Sequence, residues 1–149
     1  MPRTLALAAF LAAALPLCPA AGARSPADDK DDAAKKLNGT YAVTGVIYRG
    51  KVDDKKKDEV ETVVIKDGEI SIREKKVKQA DTARFIVDPS KTPAHIDIMP
   101  GNNMTIPGIY ELKESDKGTE LTIAFVNDAD VTDRPKDFKG EGKSEVVIK

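Results

Sequence analysis

From Thr40 onward the chain alternates apolar and polar residues in short runs divided by Gly, Pro, Asn and Asp, the period of two that half-buried β-strands require. These runs predict eight strands, at Thr40 to Tyr48, Val60 to Lys66, Glu69 to Glu74, Thr82 to Val87, Ala94 to Met99, Ile109 to Lys113, Glu120 to Val126 and Glu145 to Ile148. Asp67-Gly68 joins Val63-Val64-Ile65-Lys66 to Glu69-Ile70-Ser71-Ile72, and a tight hairpin turn needs the positive φ that Asp-Gly adopts at low cost. Alternation turns Tyr41, Val43 and Ile47 to one face, and gives Val43, Ile47, Val64, Ile70, Ile72, Phe85, Val87, Leu121, Ile123 and Phe125 as the inward set. Parallel sheets need crossover helices and continuous apolar runs. Neither is present, so the expected fold is an all-β antiparallel sandwich or barrel.

The first residues break this pattern. Arg3 precedes an apolar run from Leu5 to Leu17, a secretory signal layout, and Ala21-Gly22-Ala23 supplies the small residues for cleavage before Arg24. The run is shorter than the ~20 residues of a membrane span. An alternative reading makes Cys18 a lipidated residue, but Leu17 ahead of it is large for such a site. The expected organisation is a signal peptide over 1–23, a flexible polar tether over 24–36 and one β domain over 37–149. The product is exported, periplasmic or extracellular. Without Cys18 the domain has no disulfide or thiol chemistry, and its stability rests on its core. Lys and Arg number 24 against 25 Asp and Glu, interspersed along the chain, which gives no nucleic-acid footprint.

Several short motifs carry a resemblance. Leu37-Asn38-Gly39-Thr40-Tyr41, the run from Phe85 to Pro93 with Ile96-Asp97, Gly108-Ile109-Tyr110-Glu111-Leu112, and Arg134-Pro135 followed by Phe138 together resemble a family of uncharacterised secreted domains of planctomycete bacteria, described as lipocalin-like. The likeness spans nearly all of the chain after Lys36. It departs from the family at Tyr41, where tryptophan is usual, and in the longer link from Lys113 to Gly118. The resemblance implies a single antiparallel eight-stranded lipocalin-like barrel and implies no established activity.

Candidate chemistry is sparse. His95 is the single histidine, and Asp97 shares its strand face, but Ile96 and Ile98 are the better core residues and leave His95 and Asp97 outward. Asn127 to Asp133 spaces oxygen-bearing side chains as a calcium loop does, yet Asp133 and Lys139 stand where an EF-hand needs glycine and glutamate. Asp53 to Glu59 reads as a solvated loop. Pro100 to Pro107 reads as a surface loop, or alternatively as a lip carrying Met104 and Ile106 over a barrel mouth. No nucleophile-base pair or metal-ligand cluster emerges, so the expectation is no enzyme, no catalytic residue, no metal and no cofactor. The expected role is a non-enzymatic interaction module of the cell envelope, with an unknown envelope protein as partner. The alternative is a carrier of a small apolar ligand, with Phe85 and Phe125 in the wall and Tyr48, Asn102 and Asn103 as polar groups near strand ends.

Overall fold

The computed structural model describes residues 25–77, 79–101, 103–126, 128, 133–142 and 145–149. The expected signal segment, Cys18, Asn102 and most of the stretch from Asn127 to Asp133, where a calcium-loop spacing was weighed, therefore lie outside the described residues. The described chain is mainly β: β1 (Gly39–Ala42), β2 (Val46–Tyr48), β3 (Lys51–Val52), β4 (Val60–Lys66), β5 (Glu69–Glu74), β6 (Asp81–Asp88), β7 (Ala94–Gly101), β8 (Met104–Ser115), β9 (Gly118–Val126) and β10 (Glu145–Ile148). Two helices accompany them, α1 (Pro26–Lys36) and α2 (Asp54–Glu59). The strands form one antiparallel, curled sheet in the order β1-β4-β5-β6-β7-β8-β9-β10-β2-β3. Ten strands replace the eight expected.

The difference arises chiefly at Val43-Thr44-Gly45. The run from Thr40 to Tyr48 is split: β1 pairs with β4, whereas β2 pairs with β10 at the far side of the sheet order. Between them the N–H groups of Thr44 and Gly45 donate to the Lys149 carbonyl at 2.7 and 3.3 Å. Tyr41 and Val43 pack on the inner core, and after the kink Val46 stands opposite Ile148, which packs there too. Inward positions thus fall at 41, 43 and 46, so one extra residue reverses the faces of everything beyond. Ile47, expected inward, packs on the outside with Ile109, Ala124, Val147 and Phe138. Val64 is also corrected, since Val63 and Ile65 are its buried neighbours and it lies on the opposite face.

The inner core runs through Leu37, Val63, Ile65, Ile70, Phe85, Val87, Ile96, Ile98, Tyr110, Leu121 and Ile123. One end of the curled sheet is covered by α1. The segment expected to be a tether forms this helix because Ser25 accepts from the Ala27 N–H, Pro26 opens the first turn, and Asp28 and Asp29 precede Lys35 and Lys36 along the helix dipole. Only Ala33 and Ala34 of α1 touch the core, while Leu37 just after it is fully buried. Asp53 caps α2 by accepting from the Lys56 N–H at 3.0 Å, so that expected loop is helical as well. Pro100 and Met104 to Pro107 belong to β7 and β8 rather than to a loop.

Candidate ligand cavity

The strands do not fill the space they curl around. A cavity of about 260 Å³ remains among inward side chains of eight strands and the kink, including Tyr41, Val43, Val63, Ile70, Ile72, Ala83, Ile98, Ile106, Leu121, Ile123, Phe125 and Ile148. These wall residues follow from alternation and pairing, because residues opposite one another in a ladder share a face: Ile70 with Ala83, Ile98 with Ile106, Ile123 with Ile148. The polar contributors are Tyr41, Asp81, Thr82 and Lys149. Asp81, Thr82 and Lys149 are exposed and mark the rim. Tyr41 lies deeper, and burial pushes its phenol above the usual range. Its hydroxyl donates to the Leu37 carbonyl at 2.9 Å, which leaves the ring as an apolar wall. No buried polar side-chain atom among the described residues lacks a hydrogen-bond partner. The interior therefore selects for apolar surface, with polar recognition available only at the rim.

The expected site residues separate. Phe125 lines the cavity. Phe85 is buried in the core and outside the lining. Tyr48 sits opposite Val146, with the Arg49 guanidinium carbon 5.0 Å and the Lys56 ammonium 5.1 Å from its ring centre, and it does not reach the cavity. Asn103 is exposed at the β7–β8 turn with φ 57°, also away from the lining, and Asn102 falls outside the described residues. Val63 and Ile106 are absent from the expected inward set and are walls, and Ile98, expected in the core, is a wall as well. For Val63 the signal was present: the strand Val60 to Lys66 is apolar at 63, 64 and 65, and only its pairing with Ile72 and Tyr41 chooses the phase.

His95 and Asp97 lie on the outer face, with Ile96 and Ile98 buried between and beyond them. Arg134 spans this face. One guanidinium nitrogen donates to the Ile96 carbonyl at 3.1 Å and the Gly108 carbonyl at 2.5 Å, and the other donates to Asp97 Oδ1 at 2.5 Å. Partial burial, then the nearby Arg134 cation, push the His95 imidazole below its ordinary range. Asp97 thus anchors an arginine. No group of three or more His, Cys, Asp and Glu placed to hold a metal occurs among the described residues. Comparison with protein-family models, with curated proteins and with solved structures finds no match.

Proposed function

We propose that the curled sheet is a lipocalin-like barrel and that it carries a small apolar or amphipathic ligand. The observation behind this is the apolar cavity of about 260 Å³ with its polar groups at one rim. Continuity of β1 and β2 through a kink supports the barrel reading, because one bent strand then pairs with β4 along its first half and β10 along its second. Counted so, with β3 as a two-residue excursion, the sheet is an up-and-down eight-stranded barrel. An apolar void of ~150 Å³ holds benzene, so this cavity by proportion takes roughly ten non-hydrogen atoms. That is the size of a medium alkyl chain or a small ring system.

Titration with anilinonaphthalene sulfonate, whose naphthyl ring matches the cavity while its anilino group and charged sulfonate stay at the open rim, tests the reading. Saturable binding at one site is expected, competed by a medium-chain alcohol and lost in Val43→Asp, with circular dichroism confirming that this variant is folded. Absence of saturable binding to the folded wild type defeats it and returns the chain to the interaction-module role. The chain acts outside the cytoplasm on this reading, exported by its charged and apolar N-terminal segment. Intact-mass analysis of the mature protein is expected to give a start at Arg24, and retention of Met1 or a diacylated Cys18 overturns that start.

A further inference from the structure

A second hollow lies where the end of α1 meets the sheet. β7 begins at Ala94, opposite Tyr110, and β8 runs on past it to Ser115. At this corner an open groove of about 600 Å³ takes its apolar walls from Pro89, Pro93, Leu112 and Phe138. It shares no lining residue with the apolar cavity. Its size falls in the range of about 300–1,000 Å³ usual for small-molecule sites. Tyr110 sets its chemistry. Only 7% of this residue is exposed, yet its hydroxyl has no hydrogen-bond partner among the described residues. Nor is the oxygen sealed off, because every enclosed polar side-chain atom among those residues has a partner. The hydroxyl therefore opens into the groove that Tyr110 lines. Tyr41 gives the contrast, since its hydroxyl already donates to the Leu37 carbonyl. A phenol buried as deeply as Tyr110 ordinarily has a partner. Burial, then the Asp88 carboxylate, push it above the usual range, so at neutral pH it is a donor.

Charged groups of both signs border the same groove. Lys36, the last residue of α1, and Glu114 of β8 are exposed and line it from different elements. Neither makes an ion pair among the described residues. Glu111, which also lines the groove, differs, since the Lys113 ammonium lies 2.8 Å from its carboxylate. The groove thus presents one uncompensated cation, one uncompensated anion and one free hydroxyl among apolar walls. We propose that it binds a small apolar zwitterion, a free α-amino acid or dipeptide, whose carboxylate takes Lys36 and the Tyr110 hydroxyl and whose ammonium takes Glu114. An anion or a cation alone would leave one of the two charges facing a like charge or nothing, and an alkyl chain would leave all three polar groups unmet. The site is separate from the apolar cavity and stands whether or not that cavity holds a ligand.

The test titrates the whole mature protein with leucine and, in parallel, with leucyl-leucine by isothermal calorimetry. Saturable single-site binding of at least one is expected, and the tighter of the two gives the size of the natural ligand. Amidating its carboxylate or acetylating its amine is each expected to weaken binding about tenfold, the loss of one charge-assisted contact. In Lys36→Gln, amidation is expected to cost nothing further, and in Glu114→Gln the same holds for acetylation. Tyr110→Phe keeps the ring in the core and is expected to bind about tenfold more weakly with an unchanged urea midpoint. Absence of saturable binding by both probes overturns the site. Equal affinity for the doubly blocked ligand, or unchanged binding in Tyr110→Phe, overturns it as well. Displacement of the zwitterion by anilinonaphthalene sulfonate would put both in the apolar cavity and so overturn a separate groove site, whereas dye binding without zwitterion binding leaves the carrier reading intact.

Discussion

Arg134 shows what one side chain does when its charge is divided among backbone groups. Its guanidinium reaches the Ile96 and Gly108 carbonyls, which sit opposite each other in the β7–β8 ladder, and takes Asp97 with its second arm. No side chain is tolerated at Gly108, where a Cβ would lie 2.7 Å from the Ala124 carbonyl oxygen. The residues Ile96-Asp97, Gly108 and Arg134-Pro135 all stood out in the sequence as motifs, yet their meeting did not, because a loop-to-sheet contact leaves no periodicity. Hydrogen bonds to a charged donor contribute about 1.5–3 kcal/mol each at most, and a side chain one-quarter exposed realises less than their sum. Arg134→Ala is therefore expected to lower the unfolding free energy by about 2 kcal/mol in urea melts. Arg134→Lys is expected to recover less than half of this, since an ammonium lacks the planar fork. Full recovery by lysine would show that charge alone matters at this position.

Elements with strong alternation and clear turn chemistry were legible, and elements fixed by tertiary pairing were not. Val60–Lys66 and Glu69–Glu74 occur where the pattern put them, and Asp67 at φ 52° and Gly68 at φ 81° make the turn between them. The Asn38 side chain accepts from the Asp67 N–H at 3.2 Å, tying the turn to the start of β1. Nothing lies within 4 Å of a Cβ built on Gly68, so substitution there is opposed by the backbone alone. Gly68→Val is expected to lose ~1 kcal/mol or more of stability in urea melts, whereas Asp67→Asn, which also tolerates positive φ, is expected to stay near wild type. Equal midpoints for Gly68→Val and wild type would contradict the turn geometry. The kink at Thr44-Gly45 offered no such signal. Its residues read as an ordinary strand, and only the competition of β4 and β10 for the two halves bends it. α1 was hidden for another reason: its caps and charges favour a helix, but with only two alanines on the core it lacks an apolar stripe.

Across the whole molecule, sequence left undecided whether the inward aliphatic residues close into a packed core or stand around a void, because both use the same alternation. The outcome depends on side-chain volume around the ring. Only five per cent of residues are aromatic, and the inner face carries Ala83 at the cavity, where a larger group would fill the space. Leu37, Ile65 and Ile96 pack fully at the end beneath α1, while Ile72, Ile106 and Phe125 toward the rim are only partly buried. A packed core and an open one respond oppositely to added volume. In a filled interior, small-to-large substitution costs about 1–3 kcal/mol by strain. In a void, added methyl groups gain contacts and stabilise by roughly 0.5–2 kcal/mol. Ala83 is the place to ask, since it lines the cavity from β6 opposite Ile70 and a β-branched replacement suits a strand. Ala83→Ile is expected to leave the urea midpoint unchanged or raised while weakening anilinonaphthalene sulfonate binding several-fold. A lowered midpoint with unchanged dye binding would mean that the interior is already full and that the dye sits elsewhere. The paired readout matters, because loss of binding alone would equally follow from a distorted sheet, whereas loss of binding in a protein at least as stable as wild type points to occupation of the space the dye uses.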